Sequence, residues 1–326
     1  MQWCSDPAAS DRQRRDFIDD YLRRLSLADS AERSLEPSLA LLAALIEAHL
    51  RRIPFETLDA HLTPPPPPCT LEFEALRLKL LHRRRGGNCF ELNGLFRILL
   101  LAIGYSVELL PCRVFAGKER GRKGRPGYRA KPSHVALLVS CAAGAEHESE
   151  NPERYFVDVG FGEAPLGPIL YAPGDQETPE GMRSKIEFEG TDDARLCGYD
   201  NVELQWFLDG AWAPRLQWGA KLLPHTSFKE ADAYLADFAA SEVGRFQGPL
   251  TGKLVVCTLS RAAKVTVAGL RLKVTSPRFG GSQTVTTYGS VDKLRAALLQ
   301  LFDIPLEETA GLSVDKNTPP DWWSHL

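Results

Sequence analysis

The chain predicts an α+β fold: a helical N-terminal unit over 1–104, an antiparallel, barrel-like β unit over 105–222, and a mixed α/β unit over 223–326. Three patterns carry that reading. Apolar residues recur at helical spacing as far as Gly104, alternate along short runs as far as Trp218, and do both thereafter. In order, Phe17, Tyr21 and Leu25 stand at i, i+4 and i+8, and Leu35, Leu39, Leu42, Ile46 and Leu50 form a second stripe that predicts a core-facing helix. The run Pro64 to Pro68 interrupts the helices as an extended spacer, because proline fixes φ and lacks a donor. Ser106 to Leu110, Pro132 to Val139, Tyr155 to Val159, Lys185 to Glu189 and Val202 to Leu208 read as strands, separated by turn signals such as Asp209-Gly210. The last third predicts a helix near Phe228 to Phe238, strands at Lys253 to Leu259 and Gly269 to Thr275, and a final helix carrying Val291, Leu294, Leu298 and Leu301.

Composition narrows the function classes. A chain of 326 residues with 44% hydrophobic content exceeds one simple core and suggests two or three packed units. Its net charge of −3 gives no global electrostatic argument for nucleic acid or membrane partners. Seven cysteines (Cys4, Cys69, Cys89, Cys112, Cys141, Cys197, Cys257) are odd in number and scattered, with no Cys-x-x-Cys pair, which argues against a disulfide framework or a metal site. Reduced thiols, no apolar run of roughly 20 residues and no secretory signal make the cytoplasm the expected compartment.

One cysteine stands apart. Cys89 follows Arg84-Arg85-Gly86-Gly87-Asn88 and opens an apolar run, Phe90, Leu92, Leu95, Phe96, Leu99, Leu100 and Ile103, that Gly104 ends. Asn88 with Glu91 three residues later has the form of a capping box, which places Cys89 at the first helical position. There the helix dipole and the unpaired amides favour a thiolate. The glycine pair is expected to let the backbone turn sharply and approach a ligand.

Downstream, His134 opens a strand on the face opposite Val135, and Asp158 closes another just before Gly160-Phe161-Gly162. Cys, His and Asp in that order supply a nucleophile, a base and the group that orients the base. The remaining histidines, His49, His61, His82, His147, His225 and His325, have no strand context ending near a turn and read as structural or solvent-facing.

At these places the chain resembles the arylamine N-acetyltransferase family. Its Arg-Gly-Gly-x-Cys pattern is met by Arg85, Gly86, Gly87 and Cys89, its histidine strand by His134, its Asp-x-Gly-Phe-Gly turn by Asp158 to Gly162, and its Ile-Pro-Phe-Glu segment by Ile53 to Glu56. Asn88 and Glu163 depart from the pattern, standing where members often carry a bulky and, in some animals, a basic residue. The resemblance implies a helical domain, a β-barrel and an α/β lid around a core like that of cysteine proteases and transglutaminases. It implies a Cys89–His134–Asp158 triad, acceptor contacts at Phe161 and Phe55, approach of CoA along Gly160 and Gly162, and a structural pair between Arg85 and Glu56.

The implied activity is ping-pong transfer of an acetyl or other short acyl group, malonyl included, from CoA to an arylamine or arylhydrazine in xenobiotic metabolism. Acyl-CoA is then a co-substrate, and no cofactor is permanently bound. The basic segment Gly117 to Lys131, just before His134, offers an electropositive rim for CoA phosphates or an acidic acyl group, or a solvated loop. The tail Pro319 to Leu326 folds over the cleft or anchors the lid. A papain- or transglutaminase-type hydrolase would use the same residue types in the same order, and it is the agreement of all the motifs that argues against it. A non-catalytic protein with a buried or redox-sensing Cys89 is the other rival, and it predicts no acyl-cysteine.

Overall fold

A computed structural model describes residues 7–27, 35–64, 71–115, 127–128, 132–141, 153–178, 181–190, 199–208, 210–219, 254–276 and 281–314. The expected helix at Phe228 to Phe238, most of the basic segment, the prolines from Pro65, the terminal tail, His147, His225 and His325 lie outside them.

Helix α1 (Pro7–Leu25) buries Phe17, Tyr21 and Leu25 completely, as their spacing requires. Helix α2 (Leu39–Arg52) starts where the Ser38 side chain accepts from the Leu41 N–H, a cap typically contributing about 1 kcal/mol. Its buried stripe is Leu42, Leu45, Ile46 and Leu50; Leu39, expected to face inward, lies in the first turn and is exposed. Strand β1 (Phe55–Glu56), helix α3 (Phe73–Arg77) and a π-turn (Leu78–His82) lead into helix α4 (Cys89–Ile103). Only Leu101 and Ile103 of α4 escape full burial, so this helix runs through the core. Gly104, in the left-handed region at φ 117°, ends it.

The central region is one eight-stranded antiparallel sheet, nearly closed into a barrel. In chain order its strands are β2 (Ser106–Val114), β3 (His134–Ser140), β4 (Arg154–Val157), β5 (Ile169–Leu170), β6 (Gly174–Glu177), β7 (Arg183–Gly190), β8 (Tyr199–Leu208) and β9 (Ala211–Trp218). Their order is β5-β4-β3-β2-β9-β8-β7-β6. Both faces of β3 are covered. Val135, Leu137 and Val139 pack with α4 in the helical core, while Ala136 and Leu138 point into the barrel with Phe156, Trp206 and Trp218. His134, two residues from Ala136, shares the barrel-facing side.

A five-stranded antiparallel sheet follows, built from β10 (Val255–Leu259), β11 (Lys264–Ala268), β12 (Arg271–Ser276) and β13 (Ser282–Thr287), with β1 on its β10 edge. Helix α5 (Val291–Phe302) covers it through Leu294, Leu298 and Phe302. Leu301, expected on that face, is exposed, and Phe302 takes its place. Glu163 ties the barrel to this sheet, pairing with Lys264 of β11 and lying 3.9 Å from Arg215 of β9. No described helix is long and apolar enough to cross a membrane.

Candidate active site

The nucleophile candidate is held by its helix start. The Asn88 side chain accepts from the N–H groups of Phe90 (2.9 Å) and Glu91 (3.1 Å), and Glu91 Oε2 accepts from the Asn88 N–H (2.9 Å). This is the full capping box that the sequence spacing predicts, with Cys89 at the first helical position. Asn88, a departure from the family pattern, acts here through its short side chain as the cap.

The glycine pair does something other than expected. Gly87 bridges Phe55, donating to the Pro54 carbonyl and accepting from the Glu56 N–H. A Cβ on Gly86 would lie 2.1 Å from the Pro54 carbonyl oxygen. The glycines therefore admit the Ile53–Glu56 segment of this same chain. The sharp backbone step is made by Arg84, whose φ is 55°. Two motifs separated in sequence are thus one structural unit, sealed by Arg85, which donates to Glu56 Oε1 from Nε (3.0 Å) and Nη2 (2.6 Å). Both side chains are out of water.

Register explains how His134 and Asp158 meet. Leu137 pairs with Val157, so Asp158, one step on, lies diagonally across the ladder from His134 on the same face. His134 Nε2 stands 2.6 Å from Asp158 Oδ2, and the Cys89 side chain lies near enough to act on the charge of the imidazole. Burial would push the imidazole toward its neutral form, but the charges of Asp158 and Cys89 outweigh it and raise its pKa to about 10. His134 is therefore an imidazolium at neutral pH.

Asn93, which the sequence analysis passed over, locks this pair to the helix. One turn beyond Cys89 and fully buried, it donates to Asp158 Oδ1 (2.9 Å) and the Val135 carbonyl (2.8 Å) and accepts from the Val159 N–H (3.0 Å). A polar side chain at i+4 from the cysteine on a largely apolar helix is the available signal. The Gly160 N–H also donates to Asp158 Oδ1 (2.8 Å). A Cβ at Gly160 would lie 2.8 Å from the Cys89 Cα, so the turn packs directly on the backbone of Cys89.

The Phe161 ring meets the His134 imidazole edge-on at 5.2 Å and Trp206 at 5.7 Å. Gly162, at φ 74°, lies beside Phe55, whose ring carbon would sit 3.9 Å from a Cβ there. Phe161 thus meets His134, Gly160 packs on the Cys89 backbone, and Phe55 lies beside Gly162. Cys112, opposite His134 in the β2–β3 ladder, has its thiol pushed well up by burial and by Asp158. Among the described residues no disulfide joins Cys89, Cys112, Cys141 or Cys257, and no cluster of metal-ligating side chains is found. Of the other described histidines, His49 is buried and hydrogen-bonded to Tyr21, and His82 lies 3.3 Å from Asp20 on the surface.

The chain is thus an α+β protein in which a helix-capped thiol, an imidazole and a carboxylate lie together out of water. Comparison with known proteins narrows the class. The family described as N-acetyltransferase matches residues 38–310. The arylamine N-acetyltransferase of Mycolicibacterium smegmatis is 30% identical over 296 residues, spanning 90% of this chain and 94% of that protein. An arylamine N-acetyltransferase / N-hydroxyarylamine O-acetyltransferase of Salmonella typhimurium is 39% identical over 147 residues, 44% of this chain and 46% of that one. Among solved structures, M. smegmatis arylamine N-acetyltransferase superposes with a TM-score of 0.71 at 28% identity over 91% of this chain and 95% of its own. The Mycobacterium marinum enzyme in complex with CoA gives 0.69 at 25% identity, covering 88% of this chain and 92% of its own. The chain belongs to the arylamine N-acetyltransferase family and is an acyltransferase.

Proposed function

We propose that this protein moves an acetyl group from acetyl-CoA to an arylamine or arylhydrazine in two half-reactions through a thioester on Cys89. The observation that carries this reading is the His134 imidazole, held by Asp158 at 2.6 Å and close enough to the Cys89 side chain to share its charge. Asp158 fixes the ring and stabilises its charge.

In the first half-reaction the Cys89 thiolate adds to the thioester carbonyl, the carbon–sulfur bond to CoA breaks, and the departing CoA thiolate takes the imidazolium proton. Attacking and leaving sulfurs are similar in stability, so the exchange needs little driving force. In the second, a neutral arylamine adds to the acyl-cysteine, His134 as base takes its proton, and the Cys89 thiolate leaves. The enzyme returns to its starting charge state. The cap occupies the Phe90 and Glu91 amides, so the oxyanion falls to the Cys89 N–H in this reading.

Phe161 and Phe55 form the flat walls against which the acceptor ring rests, and the Gly160–Gly162 turn is the strip along which the CoA arm enters. The partners are small molecules, and the reduced thiols fit the cytoplasm.

Initial-rate measurements with acetyl-CoA and one anilide-forming arylamine test the proposal, with propionyl- and malonyl-CoA as further donors. Parallel double-reciprocal lines and CoA released before amine is added are expected. Intersecting lines with no CoA release in the absence of amine would point to direct transfer in a ternary complex.

A further inference from the structure

Beside the glycine turn the structure gathers charges, with Glu56, Arg85, Glu91 and Glu308 buried and Lys79 and Asp59 partly so. Lys79, on the π-turn, directs its ammonium to Asp59 Oδ2 (2.6 Å) and Glu91 Oε1 (2.7 Å). Its carbonyl accepts from the Arg85 N–H at 3.1 Å. Arg85 in turn reaches Asp59 (2.7 Å) as well as Glu56, and Glu308, from the turn that follows α5, accepts from Arg83 (2.7 Å). Burial acts against the Lys79 charge, but Glu91, Glu56 and Asp59 hold it protonated, above the usual lysine range.

The Glu91 carboxylate has two jobs in this arrangement. One oxygen caps the Asn88 N–H, immediately before Cys89, and the other is held by Lys79. The ammonium thus lies two hydrogen bonds from the residue preceding the nucleophile. It also offsets a negative charge in the first turn of the helix that carries Cys89.

We propose that Lys79 is a positioning residue for acyl transfer: by clamping Glu91 it fixes the cap on which Cys89 stands and compensates the carboxylate beside it. The proposal rests on Cys89 being the nucleophile. Without the ammonium, Glu91 is a buried carboxylate without its cation and either turns outward or stays ionised in place. Turning outward frees the Asn88 N–H and loosens the first helical turn; staying ionised works against the thiolate.

Opposite charge changes at the two ends of the clamp separate positioning from packing. Lys79→Met removes the cation and keeps the apolar stem; Glu91→Gln removes the anion and keeps an acceptor for Asn88. Three readouts are taken on folded protein: single-turnover acylation of Cys89 by acetyl-CoA followed by intact mass, the pH midpoint of Cys89 alkylation by iodoacetamide, and the KM for acetyl-CoA. Lys79→Met is expected to slow acylation roughly 10- to 100-fold and to raise the midpoint by about one pH unit, with KM within about twofold. Glu91→Gln is expected to move the midpoint the other way, by roughly half a unit. A purely packing role lowers stability in both variants and moves the midpoint in neither, and that result overturns the proposal. Should Lys79→Met not fold, the midpoint of Glu91→Gln decides: unchanged or raised, it overturns the proposal. Wild-type protein that forms no acyl-Cys89 overturns the nucleophile reading instead.

Discussion

His49 in α2 and His134 in β3 are both shut away from water, yet their surroundings drive them to opposite charge states. Around His49, burial and then the nearby Arg24 guanidinium hold the ring neutral, its pKa lowered to about 3, with Tyr21 Oη at 2.8 Å from Nδ1 and Phe96 edge-on at 5.2 Å. Around His134 the same burial is overcome by a carboxylate at 2.6 Å and a cysteine side chain, and the ring stays charged to about pH 10. Burial alone therefore says nothing about function. What separates a packing histidine from a chemical one is the sign of the group that shares its pocket.

Exchanging the residues breaks the comparison most strongly. His134→Gln is expected to lower acyl transfer by about 10²–10⁴-fold while the fold remains, as loss of an acid–base group does. His49→Gln should leave kcat within about twofold and lower only the unfolding midpoint. Steady-state assays beside thermal melts of the two variants check both, and loss of activity in both would erase the distinction.

The next largest effect is structural. Arg85 and Glu56 hold the helix start from behind with both side chains buried, so Arg85→Met strands Glu56 and is expected to cost about 3–5 kcal/mol in denaturant unfolding. A variant that unfolds at the wild-type urea midpoint would show that the pair contributes little.

Tyr21→Phe sharpens the comparison from the other side. Both ring nitrogens of His49 would then lack a partner, since Nε2 is already buried without one, and a loss of about 1–3 kcal/mol is expected with unchanged acyl transfer.

The last contrast is in the pH dependence of stability. His134 has a folded pKa raised above its unfolded value near 6.5, so its contribution is complete below that pH and is lost as the pH rises toward about 10. His49 is lowered to about 3, so its contribution is complete above about pH 6.5 and is lost as the pH falls toward that value. Denaturant curves from pH 4 to 9.5 should show His134→Gln flattening the alkaline limb and His49→Gln flattening the acid limb. Unaltered limbs in both variants would refute the assigned charge states.

How much of this was legible in the chain follows from the range of each interaction. The capping box and the placement of Cys89 depend on residues within one helical turn, and the sequence shows them directly. The His134 and Asp158 strands were legible as alternation, and their diagonal meeting follows once the ladder is known. Asn93 was overlooked because its partners, Val135 and Asp158, are 42 and 65 positions away. Lys79, Asp59 and Glu308 were equally silent, because a charged residue in sequence looks like surface until an opposite charge is folded against it. His49 was read without a strand or turn to mark it, and the fold gave it a tyrosine 28 positions away. The glycine pair shows the converse, a correct signal for close approach whose partner was the chain's own Pro54 carbonyl.

Everything in this account turns on whether the sulfur of Cys89 accepts the acyl group while His134 carries charge beside it. Intact-mass spectrometry after mixing the protein with acetyl-CoA alone tests this most directly. One added acetyl group is expected, located on Cys89, absent in Cys89→Ala, and discharged when an arylamine is added. An unmodified Cys89 in protein that still acetylates the amine would contradict it.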